Sequence, residues 1–267
     1  MSTADEPLLR SHSGVPATRE SLAHDLRALG LRAGDLVMVH ASVRSLGPIK
    51  GGVAAVVKAT LDAIGPEGTL AAYVDYEPFH DEADPDPPVF DKLTARAALD
   101  HGVLAETIRT WPGSLRSDHP GAGVAAIGAR ADWLTRDHPF DYGYGAGSPL
   151  ARLVESDGKV LVLGSPLDRI TLLHFAEDRA VLRGKRVVRY RVLMPGSEGP
   201  TWIDFEEFDT SLPCVDGMPE DLFQRIGTAA LAAGIGVRGR VGASDAALFD
   251  ARSLTSFAVE WMEARWG

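Results

Sequence analysis

The 267-residue chain has a single cysteine, Cys214, which excludes an internal disulfide and a cysteine-rich zinc site. It has no apolar run near the ~20 residues needed to cross a bilayer, so no membrane partner is expected. The opening MSTADEPLLRSHSG lacks both the basic start and the apolar stretch of a secretory signal, and the expected location is the cytoplasm. A basic excess is missing too. The chain carries 27 Lys and Arg against 37 Asp and Glu, a net charge of -10. Phosphate backbones call for basic surfaces, so nucleic acid is not an expected partner. An acidic surface suits a cationic ligand, although solubility alone accounts for much charge of this kind.

Several chemical signatures are equally absent. There is no Walker A sequence, no GxGxxG after a strand, no HExxH and no GxSxG elbow. His119 and His138 each precede a proline in loops, with no acid spacing that would join them into a metal site. No metal is expected.

What is present is regular alternation. Thr18 reads as an N-cap for a helix with Leu22, Leu26 and Leu29 on one face, stopped by Gly30. Residues 36–39 form a short buried strand ending at His40, and Val53 to Ile64 a helix ending at Gly65-Pro66. Thr69–Val74, Val124–Ile127 and Val160–Leu163 read as strands, and Ser148-Pro149 as a capped helix start. The acid- and proline-rich stretch 75–93 reads as a long loop of the kind that flaps over an active site. Arg186–Leu193 reads as an edge strand joined by PGSEGP to Trp202–Phe205. A helix near 222–232, a strand near 235–241 and a final helix capped by Asp250 follow. The pattern predicts one layered α/β/α domain with a central mixed sheet over 18–267, preceded by a loose tail, 1–17.

The polar clusters fall where strands end, the place at which open α/β sheets gather ligands. These are VHAS (39–42), DYE (75–77) and GSP (164–166). The GPIKGG segment with Lys50 is a weak candidate for a pyrophosphate and reads more readily as a plain turn. His174 lies three residues before Glu177 and four before Asp178, so a carboxylate can share its helix face. A neutral imidazole held by an acid is a capable general base, and which acid holds it stays open. Asp75, Glu77, Glu206, Glu207 and Asp209 stand among aromatics, a mixture that can hold a polyamine.

Five stretches in order, GDLVMVHASVRSLGPIKGG, RSDHP, GSPLARL, VLVLGSPLDRITLLHFAED and EEFDTS, resemble the aminoglycoside 3-N-acetyltransferase family, which is distinct from the GNAT fold. The resemblance implies acetyl-CoA as donor, coenzyme A as product and the 3-amino group of a 2-deoxystreptamine aminoglycoside as acceptor, with antibiotic resistance as the outcome. It implies a general-base role for His174, with Glu177 beside it, and an active-site role for His40. Asp75, Glu207 and Asp209, with Glu77 and Asp178, become acids for the acceptor's ammonium groups. Ser42, Ser45, Leu46, Gly47, Ser117 and His119 become contacts for the cofactor's pantetheine and phosphates. Transfer is expected to be direct, because the flanks of Cys214 supply no charge to stabilise a thiolate. Three other readings compete: the same fold acting on another amine, a protein that sequesters a cation, and a hydrolase using Ser42 or Ser165. Oligomeric state has no signature in the sequence.

Overall fold

The computed structural model describes residues 15–76, 86–211 and 213–267. Residues 77–85 of the expected flap, Glu77 among them, and most of the expected tail lie outside them. Ala17 pairs with Ile49 in a short bridge.

The first half follows the hydrophobic pattern closely. Helix α1 (Arg19–Leu29) starts at Thr18, whose side chain accepts from the Ser21 amide in a capping box, and it buries Leu22, Leu26 and Leu29. Strand β1 (Leu36–Ala41) leads through a 3-10 turn (Val43–Leu46) into α2 (Gly52–Ile64). Strand β2 (Thr69–Tyr73), helix α3 (Gly102–Arg109), the two-residue β3 (Leu115–Arg116) and β4 (Val124–Gly128) come next. Short helices α4 (Ala131–Thr135) and α5 (Pro149–Glu155) precede β5 (Lys159–Leu163). Helix α6 (Leu172–Arg179) carries His174. The last third comprises β6 (Val187–Met194), β7 (Thr201–Phe208), α7 (Leu222–Ala232), β8 (Val237–Val241), β9 (Ser244–Asp250) and α8 (Ala251–Trp266).

Seven strands form one mixed sheet in the order β3-β4-β2-β1-β5-β9-β8. The central trio β2, β1 and β5 is parallel, and the flanking pairs are antiparallel. Alternation along β1 shows why the domain has three layers. Leu36 and Met38 face a core built with α5, α6, α7 and α8, whereas Val37 and Val39 face a second core built with α1, α2 and α3. A strand buried on both faces reads as a continuous apolar run, as residues 36–39 do.

The strand expected near 186–193 and its turn to 202–205 form the hairpin β6–β7, a two-stranded ribbon separate from the main sheet. Its outward Arg189 and Arg191 pair with Glu206 and Asp204 across the ribbon rather than with the core sheet. The sequence reading passed over β9, which pairs with both β5 and β8. The run SDAALFD has no β-branched residue, so nothing local marks it as a strand.

Candidate active site

Because β2, β1 and β5 run parallel, their C-terminal ends meet at one edge of the sheet. Those ends, the segments that follow them and the β6–β7 ribbon enclose a cleft of about 870 Å³. His40, Ser42, Asp75, His174, Glu207 and Asp209 all line it, although they are scattered over nearly 170 positions of sequence.

His174 is the best-defined group. Its Nδ1 lies 2.8 Å from Glu177 Oε2, and Glu177 is only 3% exposed. The ring is held between Tyr144 at 4.9 Å and Phe223 at 4.7 Å. With Nδ1 engaged by the carboxylate, Nε2 is the nitrogen left for a reactant, and the acid favours the imidazolium that proton transfer creates. The open choice of partner is thereby resolved as Glu177. Asp178 turns instead toward Gly145, and burial raises its carboxyl above the usual range against the pull of Lys185 and Arg179. It does not line the cleft.

Glu207 reaches the cleft from the end of β7. It is 4% exposed, and one oxygen accepts the Phe208 amide at 2.8 Å. Oε2 has no hydrogen-bond partner among the described residues. Burial pushes the carboxyl up to about 7, while the amides of Phe208, Gly143 and Tyr144 and the His174 ring favour the anion. The Gly143 and Tyr144 amides do so without closing a hydrogen bond to Oε2. Asp209 arrives already held by Ser211 and, at 3.4 Å, by Arg186, and these contacts lower its pKa. Asp75 is bonded to Nε2 of His101.

His40 lies next to the end of β1, half-buried, and its Nε2 is out of solvent and has no hydrogen-bond partner among the described residues. Burial, with help from nearby His101, lowers its pKa to about 3, so the ring is neutral at physiological pH. Of the residues expected to hold the cofactor, only Ser42 lines the cleft. Ser45 sits behind it, donating to the Ser42 carbonyl at 2.6 Å and touching Ser244, and Leu46 is 1% exposed. Gly47 closes the same 3-10 turn. Ser117 and His119 are fully buried. The Ser117 hydroxyl accepts the Val124 amide and meets His138, while His119 accepts the Ala122 amide and meets the Phe140 carbonyl. All of these polar contacts are within the protein. That network packs the loops beneath the cleft and is not among the lining residues.

Some lining residues were not anticipated. The Tyr73 and Tyr144 hydroxyls lie 2.7 Å apart, each within reach of the Gly121 carbonyl, and their two protons serve two of these three contacts at a time. Arg169 pairs with Asp100 at 2.7 Å. His101 lies 26 positions from Asp75 in the chain, and no local pattern signals their meeting. Cys214 is fully buried, and burial together with the Glu177 carboxylate pushes its thiol up to about 12. It is a protonated thiol at neutral pH, as the direct-transfer reading requires. No group of three or more metal-ligating side chains occurs among the described residues, and no helix among them is long and apolar enough to cross a membrane.

A three-layer α/β/α domain with a histidine–carboxylate pair in a cleft lined with acids has the make-up of an enzyme acting on a cationic substrate. The profile of the aminoglycoside 3-N-acetyltransferase family matches residues 38–263, and the chain belongs to that family. It is 44% identical to aminoglycoside N(3)-acetyltransferase III of Pseudomonas aeruginosa, over 95% of this chain and 96% of the relative. Among solved structures it resembles AAC-IIIb in binary complex with CoASH, with TM-score 0.91 and 49% identity, over 95% of this chain and 98% of that one. It also resembles AAC-VIa bound to sisomicin, with TM-score 0.89 and 36% identity, over 95% of this chain and 100% of that one. The layered fold with a central mixed sheet, distinct from GNAT, is the one expected from the resemblance.

Proposed function

We propose that the protein transfers the acetyl group of acetyl-CoA directly to the 3-amino group of a 2-deoxystreptamine aminoglycoside, with His174 as general base. The observation that carries the mechanism is the 2.8 Å contact between Glu177 and His174, whose ring lines an acidic cleft. An ammonium group cannot attack a thioester. The acceptor therefore first loses one proton to solvent, and the neutral amine gives its next proton to His174 Nε2 as it forms the bond to the acetyl carbon, while Glu177 stabilises the imidazolium. The carbon–sulfur bond then breaks, and the proton passes from His174 to the departing thiolate of coenzyme A.

The remaining residues bind and orient. Asp75, Glu207 and Asp209 hold the acceptor's other ammonium groups, a positioning effect rather than covalent chemistry. An ammonium bound near Glu207 favours its ionised form. For the donor, the cleft offers the hydroxyls of Ser42 and Ser165 and the half-exposed Arg169. The Ser42 hydroxyl, which lines the cleft next to His40, is the candidate donor to the oxyanion of the tetrahedral intermediate.

The test is His174→Ala, assayed by release of the coenzyme A thiol with sisomicin as acceptor. Loss of a general base predicts a fall in kcat of about 10²–10⁴-fold. Turnover close to that of the unaltered protein refutes the assignment. A stable acetyl-enzyme formed in the absence of antibiotic refutes direct transfer.

A further inference from the structure

His101 has no task in the transfer chemistry, yet it forms part of the cleft wall. It stands immediately before α3 and directs Nε2 at Asp75 Oδ1, with the two side chains only 18% and 16% exposed. Its ring lies edge-on to Tyr73 at 4.8 Å. Tyr73 is fixed in turn by the Gly121 carbonyl at 2.6 Å and by the Tyr144 hydroxyl. Tyr144 packs on His174. The charged or titratable groups facing His101 are Asp75 after β2, Asp100 in its own turn at 3.6 Å, Arg169 before α6 and His40 on β1. Burial favours the neutral ring, but the bond to Asp75 and the two carboxylate charges outweigh it and raise the pKa.

Asp75 therefore has an internal cation competing with any ligand's ammonium. We infer that His101 sets the affinity of the cleft for its cationic acceptor, neutralising Asp75 when protonated and freeing it when neutral. This rests on the reading that Asp75 holds an acceptor ammonium. By linkage, an acceptor that prefers the free carboxylate expels the His101 proton, and its affinity rises as pH climbs through the titration of that ring. A histidine that merely packs the loop has no such signature.

The experiment is calorimetric titration with sisomicin, without acetyl-CoA, near pH 6 and near pH 8.5, on the unaltered protein and on His101→Gln, His101→Leu and Asp75→Asn. Protonation of the drug's own amines is common to all four and cancels in ratios between proteins. Glutamine keeps a neutral donor toward Asp75, and leucine removes the donor altogether. Both His101 variants should bind roughly fivefold more tightly than the unaltered protein near pH 6, the weight of one partly exposed ion pair. The advantage should vanish near pH 8.5. Both should also release fewer protons on binding near pH 6, read by repeating the titration in buffers of different ionisation enthalpy. If Asp75→Asn weakens binding but the His101 variants track the unaltered protein at both pH values, the inference fails and the Asp75 reading stands. If the His101 variants bind more weakly at both pH values, His101 supports the site structurally and the inference again fails. An unchanged dissociation constant in Asp75→Asn overturns both.

Discussion

Replacing Glu177 with Gln isolates the charge behind His174 while keeping the shape of the side chain. Glu177 is 3% exposed and its Oε2 is 2.8 Å from His174 Nδ1. At an effective dielectric constant of about 20, a unit charge pair at that separation is worth about 6 kcal/mol, an upper limit. Glutamine retains a hydrogen bond, and water reaches the 20% exposed His174 side chain. The net loss is then nearer that of a charge-assisted bond, about 1.5–3 kcal/mol. That loss falls on the imidazolium of the transition state, so kcat should drop about 10- to 150-fold. Glu177 does not line the cleft, so KM for acetyl-CoA and for the aminoglycoside should move little. Thiol release under saturating substrates measures kcat, and thermal unfolding of the variant checks that the fold is retained. A folded Glu177→Gln protein with kcat within about threefold of the original refutes the argument.

Other expectations concern stability. The Glu207 carboxyl is raised by burial to about 7 from its ordinary 4.5, so ionisation weakens the native state as pH rises from 4.5 through 7. Glu207→Gln should therefore stabilise the protein at pH 8 by about 1–3 kcal/mol in urea unfolding, and a less stable variant would contradict the sign. Burial lowers His119 to about 3 and His138 to about 4 from 6.5. Both stay neutral in the folded protein while the unfolded chain takes up protons, so stability should be full above pH 6.5 and fall by about 1–3 kcal/mol per pH unit down toward pH 4. A flat urea-unfolding profile over that window would count against it. Gly164 holds φ +58, and a Cβ there would lie 1.9 Å from Ser45 Oγ and 2.0 Å from Ser244 Oγ. Gly164→Ala should cost about 2–4 kcal/mol and displace the turn that carries Ser42, visible as a lower Tm; an unchanged Tm would refute it.

Local sequence determined the elements whose burial is periodic. Residues 36–39 and 160–163 read as buried strands because both faces are apolar, and Thr18 and Gly30 bracket α1 by capping chemistry that needs no distant partner. That His174 shares a helix face with an acid was legible for the same reason, although Glu177 and Asp178 fit that rule alike and only the packing turned Asp178 toward Gly145. What tertiary structure alone decided are the meetings between distant segments. The strand β9 is a strand because β5 and β8 flank it, not because SDAALFD favours extension. The ribbon β6–β7 stands apart from the sheet, burying Val192 and Phe205 against Tyr76 and Phe90. Ser117 and His119, in a motif that invites a ligand reading, were drawn inside by hydrogen bonds to Val124, Ala122, His138 and Phe140. Asp75 and His101 were joined only by the folding of β2 against the turn before α3. Contacts within a turn or two follow from residue order and helix or strand period, whereas contacts across the fold depend on how the layers pack. The dyad belongs to the first kind, and the neutralised Asp75 to the second.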